Sequence, residues 1–544
     1  MRSRLLIPLV AEAFLCLTAC SSGSPSNGGS TCPTCGGVDA GADAGVDAGV
    51  DGGPGSGPVR YSWLQFNGDA RHRGVNAAES IIGPSTVGSL ARLFQVQLPA
   101  VADGAPVYLS NVSTPGGTRD LLFLTTRAGH SRALDAITGV VVWHQQPSSR
   151  GCLINNGSSP CITASSPAID PDLSFVYAYG LDGAVHKYGV ADGVESTDSG
   201  WPELATLKPF DEKESPALTI ATASSGVPFL YVANGGNVGD LGDYQGHITT
   251  VNLSTGSQKV FNALCSNQTV HFVEQPATPD CSEVQAGVWA RPGVVFDPDT
   301  QRIYLATGNG TFDPANFHWG DSVLALNPDG SGNGTGNPLD SYTPTNFQQL
   351  DNDDADLGST APALLPTPPG SRYPHLAVQG GKDARLRLLD LDNLSGSGSP
   401  GHTGGEIGPV VNVPQGGEVL TFPAVWTNSA DGASWTFVTN DNGIAGLRVS
   451  VDSSGNPTLT AVWTHGPGGS SPLIVNGILF YASNGLVVAL DPATGQHLWD
   501  SSAGSIGGIH WESPVVVNGV LYVTDESANL TAFSPGGVPP NIPR

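Results

Sequence analysis

The sequence predicts an all-β protein: an eight-bladed β-propeller of four-stranded antiparallel blades, following a disordered N-terminal tether. Three observations predict it. Gly (72) and Pro (43) make up about a fifth of the 544 residues, against roughly 12% in an average chain, which suits turns and short strands rather than long helices. A Pro that opens an apolar run recurs eight times, at Pro106, Pro167, Pro216, Pro292, Pro362, Pro423, Pro472 and Pro514, spaced 42 to 76 residues apart. Two late segments, Ser471 to Gly477 and Ser513 to Gly519, both read Ser-Pro, three apolar residues, Asn-Gly. Periods of this size filled with short strands and turns are the mark of a propeller. Two packed sandwiches would not explain the repeat.

Composition narrows the function classes. Lys and Arg number 22 and Asp and Glu 48, for a net charge of −26. Nucleic acid is excluded as a general partner, because phosphate contacts need a basic surface. Hydrophobic residues at 39% with ten Trp argue for a packed core over most of the chain.

Residues 1–19 read as a secretory signal segment. Arg2 and Arg4 precede an apolar run from Leu5 to Leu17 that is broken only by Glu12 and is too short to span a bilayer. Leu17-Thr18-Ala19-Cys20 resembles the bacterial lipobox, which implies a lipid on Cys20 as the first mature residue. Residues 20–58 form the tether: Val38-Asp39-Ala40-Gly41 and its variants repeat one charge sign with almost no apolar bulk, so the tract stays solvated. The domain expected to fold is 59–544. Its place is the bacterial cell envelope, held to a membrane by the lipid. Ser21, rather than the Asp that often signals inner-membrane retention, points to the outer membrane, with the domain facing the periplasm or the surface.

The remaining six cysteines fall in three close pairs, as expected of an exported chain. Cys152–Cys161 and Cys265–Cys281 are expected disulfides. Cys32 and Cys35 sit in the tether, and no His follows Cys35, so covalent haem is not indicated.

The blades have their own grammar. In both late repeats the Asn-Gly pair joins two apolar runs, a strong hairpin signal. A second signature, Ala-x-Asp-x-x-Thr-Gly-x-x-x-Trp, occurs at Ala133 to Trp143 and Ala489 to Trp499. It reads as a strand, an Asx-type turn closed by Gly, and a strand ending in a Trp that wedges between blades.

This pattern resembles the tryptophan-docking repeat of the pyrroloquinoline quinone (PQQ) propellers. Over roughly residues 60–535 the chain resembles the quinoprotein alcohol dehydrogenase-like superfamily. That resemblance implies eight blades, in line with the Pro count, and an N-terminal segment that supplies a strand to the last blade. Trp63 to Asp69 is similar to the family's opening segment.

The resemblance also implies a site: Ca²⁺ beside PQQ on the axis, a carboxylate base, a basic contact to the quinone and a stacking Trp. Tyr304 to Gly310 carries the Thr-Gly-Asn segment and makes Asn309 a metal ligand. Asp351 to Asp356 resembles the family's acidic segment and makes Asp354 the base and Asp356 an extra ligand. Gly380 to Ala384 makes Lys382 the quinone contact, and Gly239 to Gly246 puts Asp240 in place of the ligand Glu. Counting places Arg291 at the stacking position, with Trp289, the expected ring, two residues away. The family's adjacent Cys pair is absent, Asp240 is one methylene short, and no Cys-x-x-Cys-His cytochrome segment follows.

Two functions follow from different classes. One is a binding or scaffold module at the cell envelope, similar to lipoprotein propellers that dock outer-membrane assembly machinery, with an envelope protein as partner. The other is a PQQ- and Ca²⁺-dependent dehydrogenase of alcohols or sugars. The enzyme needs Asp240, Asn309, Asp354 and Lys382 to converge at one axial end. The scaffold needs no convergence and expects an exposed apolar patch; Asn309 is then a turn cap, residues 351–356 a solvated loop and Lys382 a surface cation paired with Asp383.

Overall fold

The computed structural model describes residues 59–543 apart from 147–151, 155–158 and 238. The signal segment, Cys20, the tether and the Cys32/Cys35 pair lie outside the described residues. Among the described residues no helix is long and apolar enough to cross a membrane.

Eight blades of four antiparallel strands form the ring, two of them joined by a fifth short strand: Val75–Asn76, parallel to Leu473–Val475, and Glu212–Lys213, antiparallel to Pro228–Gly236. Their innermost strands are Val107–Thr114, Ala168–Ile169, Thr219–Thr222, Val295–Asp297, Ala363–Leu365, Ala424–Thr427, Leu473–Val475 and Val515–Val517. Each of the eight expected prolines lies just before one of these strands, six of them at the adjoining residue. An N–H missing at a strand's first residue leaves the ladder intact. Where the sequence reads Asn-Gly, the chain turns as expected: Asn476, Gly477, Asn518 and Gly519 all have positive φ, and Val475 faces Ile478 while Val517 faces Val520.

The Asp-x-x-Thr-Gly turns also form. Asp135 Oδ1 accepts the N–H groups of Ile137 and Thr138 and the Thr138 hydroxyl, and Asp491 does the same for Ala493 and Thr494. Tryptophan docks blade to blade. The Trp143 indole donates to Val190 O at 3.0 Å and lies where a Cβ on Gly193 of the next blade would come within 2.6 Å. Trp463 repeats this on Pro492 O and Gly495. At the closure a Phe takes over: Phe94 covers Gly139.

Leu90–Gln97 is the outer strand of the last blade, antiparallel to Asn529–Pro535, so the N-terminal segment closes the ring and removes an edge. Before it, residues 63–76 run as a belt along the inner strands. Trp63 exchanges backbone hydrogen bonds with Tyr108, Leu64 O accepts Ile169 N–H, and the Gln65 amide brackets Ile220 N–H and O. Ala70 O, Arg73 O and Gly74 O accept from Phe296, Val425 and Ile474, and Asn76 Nδ2 donates to Val516 O. The belt therefore touches seven of the eight blades. Both disulfides are present, Cys152–Cys161 and Cys265–Cys281.

Candidate functional site

In an antiparallel blade, the start of the inner strand and the end of the second strand lie at the same end of the axis. Trp289 and Asp356 each precede an inner strand, of the fourth and fifth blades. Asp240, Asn309 and Lys382 each follow a second strand, Pro228–Gly236, Arg302–Ala306 and Leu376–Gln379. The topology alone thus gathers the expected residues at one end. Their side chains then form a continuous run of contacts. Asn309 Nδ2 donates to Asp240 Oδ2 at 3.2 Å, and the Tyr244 hydroxyl holds Asp240 Oδ1 at 3.0 Å. Asn309 N–H donates to Asp356 Oδ1 at 2.6 Å. Lys382 Nζ reaches Asp356 Oδ2 at 2.8 Å and Asp354 Oδ1 at 2.9 Å. It also lies 5.4 Å from the centre of the Trp289 ring.

Local structure explains each placement. In Thr307-Gly308-Asn309, the Thr hydroxyl donates to Trp319 O, tying the loop down. Gly308 leaves room for its neighbours, since a Cβ there would lie 3.1 Å from both Asp356 Oδ1 and Trp289 Nε1. The helix Phe347–Asp353 ends at Asp354 in a left-handed conformation, which turns the chain back so that Asp356 points inward. Asp351 Oδ1 accepts Gly310 N–H at 2.8 Å. The side chains differ sharply in exposure, 62% for Asp354 and 4% for Asp356. Burial pushes the Asp356 carboxyl up, opposed by Lys382 and the Asn309 N–H. Burial works against the Lys382 charge, but Asp356 and Asp354 outweigh it and hold its pKa above the ordinary value. Asp321, buried beneath Asp356, is pushed up to about 8 by burial and by the neighbouring carboxylates.

Of the features set against a site, Lys382 does not pair with Asp383, which binds Arg387 instead. Exposed large apolar side chains such as Val140, Val194, Leu241 and Val462 come from four different blades. Arg291 does not take the stacking position; Trp289 is the ring beside Lys382.

Residues 445–538 match a family model of PQQ repeats described as outer membrane protein assembly factor BamB. No curated protein matches the chain. Among solved structures, the quinohemoprotein alcohol dehydrogenase ADHIIG from Pseudomonas putida HK5 is similar, at 15% identity and a TM-score of 0.60 over 89% of this chain and 82% of that one. The quinohemoprotein alcohol dehydrogenase from Comamonas testosteroni gives 16%, 0.57, 89% and 82%. A europium-containing methanol dehydrogenase gives 14% and 0.59 over 87% of this chain and 98% of that one. The fold is that of the PQQ-type β-propellers.

In this PQQ-type propeller the axial end holds more than the sequence pointed to. Trp511 stacks on Trp289 with centroids 6.0 Å apart. Arg291 lies below it, its guanidinium carbon 5.2 Å from the Trp511 ring and 5.7 Å from that of Phe66 in the belt. Phe66, Arg291, Trp511, Trp289 and Lys382 thus form a column in which Arg291 lies between two rings and the stacked Trp511–Trp289 pair lies between two cations. Beside it, Arg127 bridges Asp103 and Glu526, and His510 Nδ1 lies 3.1 Å from Asp103.

Of the buried groups here, Nε and Nη2 of Arg291 find no protein partner, while the Glu214 carboxyl is met by Ser165 and the Ala233 N–H and the Asn234 amide by the Tyr179 hydroxyl. Unsatisfied groups this deep are rare unless something else meets them. One signal could have found these residues. Asp103, Glu214, Trp289, Trp511 and Glu512 all stand two or three residues before a blade-opening Pro.

The residues fit the family's ligands in kind. Asp240, Asn309 and Asp356 offer hard oxygens suited to a cation such as Ca²⁺. Lys382 offers a charge to an anionic oxygen, and Trp289 a flat apolar face. Among the described residues, two groups of three His, Cys, Asp or Glu bring ligand atoms within 4.8 Å of one another, and neither includes these carboxylates. In one, two cysteines are spent in a disulfide; in the other, Arg127 lies between Asp103 and Glu526.

Proposed function

We propose that the axial end binds a planar, carboxylate-bearing quinone of the PQQ type together with a divalent cation, and that the protein is a dehydrogenase of alcohols or sugars. The observation that carries this is the unbroken run from Asp240 through Asn309, Asp356 and Lys382 to Asp354, with Trp289 alongside. Asp240, Asn309 and Asp356 would hold the cation, Lys382 the quinone oxygens, and Trp289 the ring plane. When bound, the quinone supplies an acceptor for two electrons from the alcohol. Asp354, exposed beside the Lys382 ammonium, would take the hydroxyl proton. The buried partnerless Nε and Nη2 of Arg291 support a polar ligand reaching down the axis. The dehydrogenases among the similar structures support the same reading.

A second reading is favoured by the match of residues 445–538 to the BamB model: a binding or scaffold module for an envelope protein. Both readings take residues 1–19 as a signal, Cys20 as lipidated, residues 20–58 as a tether and the propeller as sitting at the bacterial envelope, on the outer rather than the inner membrane.

Titration calorimetry with PQQ and Ca²⁺, separately and together, separates the two. Binding of PQQ that needs Ca²⁺ and is lost in Asn309→Ala is the expected result. No binding in any combination overturns the enzyme reading and favours the scaffold.

A further inference from the structure

We infer that Lys382 competes with the cation for Asp356, so that cation and quinone reach the site coupled through this one ammonium. The inference rests on the quinone-and-cation reading above and adds to it an order of energetic events. Asp356 has two oxygens inside the site. Oδ1 is turned to the backbone N–H of Asn309 at 2.6 Å, and Oδ2 is held by Lys382 Nζ at 2.8 Å. A cation liganded by Asp356 must therefore take a position next to the ammonium, or displace it. Two like charges a few ångströms apart on the same buried carboxylate repel, so displacement is the outcome.

The geometry shows where the ammonium can go. It already has a second partner, Asp354 Oδ1 at 2.9 Å, and it lies 5.4 Å from the Trp289 ring centre, beside the face a flat ligand would use. A cation arriving alone leaves Lys382 with only the exposed Asp354. A quinone arriving alone must draw Lys382 away from two carboxylates. Arriving together, the cation replaces Lys382 on Asp356 and the quinone oxygen replaces Asp356 on Lys382. Each ligand then removes an obstacle to the other, and the coupling is reciprocal.

The test is a calorimetric titration with CaCl₂ alone, without quinone, on the wild type, on Lys382→Met and on Lys382→Arg. Lys382→Met keeps the stem and removes the charge. It is expected to bind Ca²⁺ about tenfold more tightly than wild type, the scale of one lost charge-assisted contact. Lys382→Arg keeps the charge and should stay within about threefold of wild type. A second titration, of Ca²⁺ in saturating PQQ, should show the quinone tightening Ca²⁺ binding in the wild type and doing so far less in Lys382→Met. Thermal unfolding of each variant establishes that it is folded. If Lys382→Met binds Ca²⁺ no more tightly than wild type while the wild type binds both ligands, the competition is refuted and the site reading stands. If no variant takes either ligand, the site reading falls and the competition with it.

Discussion

The belt of residues 63–76 and the axial end around Asp356 both line the centre of the ring, yet they treat most of their polar groups differently, the Trp63 indole N–H being the belt's one buried atom without a partner among the described residues. In the belt, Gln65 uses both amide atoms on Ile220, and Asn76 uses its own on Val516 O, the Tyr61 hydroxyl and Ala78 N–H. His72 is fully buried, which pushes its pKa down and keeps the ring neutral; Nδ1 donates to Phe66 O at 2.7 Å and Nε2 faces the Thr219 hydroxyl at 2.9 Å. On the axis beside the cluster, by contrast, Arg291 leaves Nε and Nη2 buried without a protein partner. A group satisfied inside the chain holds the chain together. A group left unsatisfied at the same depth costs stability, and such a cost is tolerated where a ligand meets it.

The contrast can be broken most severely at the belt. The double variant Gln65→Ala/His72→Ala strands Ile220, Phe66 O and Thr219 and opens a cavity. A loss of about 5 kcal/mol is expected in urea unfolding; a loss below about 1 kcal/mol would mean that the belt is not what ties the blades. Next in size is Trp143→Ala, which removes a buried ring and its bond to Val190 O. It should cost about 3 kcal/mol and leave ligand binding by calorimetry unchanged.

The opposite sign is expected at the site. Glu214→Leu replaces a fully buried carboxyl by an apolar side chain of similar size. It should raise stability by about 1–2 kcal/mol and weaken quinone binding at least tenfold. Strong destabilisation would instead make Glu214 a structural residue and remove the contrast.

The smallest effect concerns pH. Burial, with Asp103 nearby, pushes the Glu512 carboxyl up to about 8. The folded state therefore holds a proton there that the unfolded state releases in the ordinary glutamate range. Between that range and about pH 8 the folded state binds more protons, so stability falls as pH rises across this window. Glu512→Gln should flatten the fall in unfolding curves between pH 5 and pH 8; an unchanged slope would assign it to other groups.

What could be read in the sequence was local. Asn476-Gly477 and Asn518-Gly519 announce hairpins because two residues set the turn. Asp135 and Asp491 announce their turns because each carboxylate bonds residues two and three positions on. Thr307-Gly308-Asn309 was legible through its resemblance to the family's Thr-Gly-Asn segment, not through local turn chemistry, since it is tied to Trp319 and Asp356. The belt was not, because Asn76 meets Val516 across 440 residues, and nothing in either segment encodes the other. Phe94 stands in for the docking Trp only because the ring closes on it. Arg291, counted into the stacking position, turns out to lie under Trp511, a residue more than two hundred positions away whose approach only the closed ring brings about.

The central claim is that the partnerless groups on the axis belong to a ligand. The most direct measurement is a crystal structure of the protein grown with PQQ and Ca²⁺. The account predicts a planar ligand against Trp289, a cation among Asp240, Asn309 and Asp356, Lys382 withdrawn from Asp356, and partners for Nε and Nη2 of Arg291. A structure in which the axis holds only water, with Lys382 still on Asp356, would contradict it.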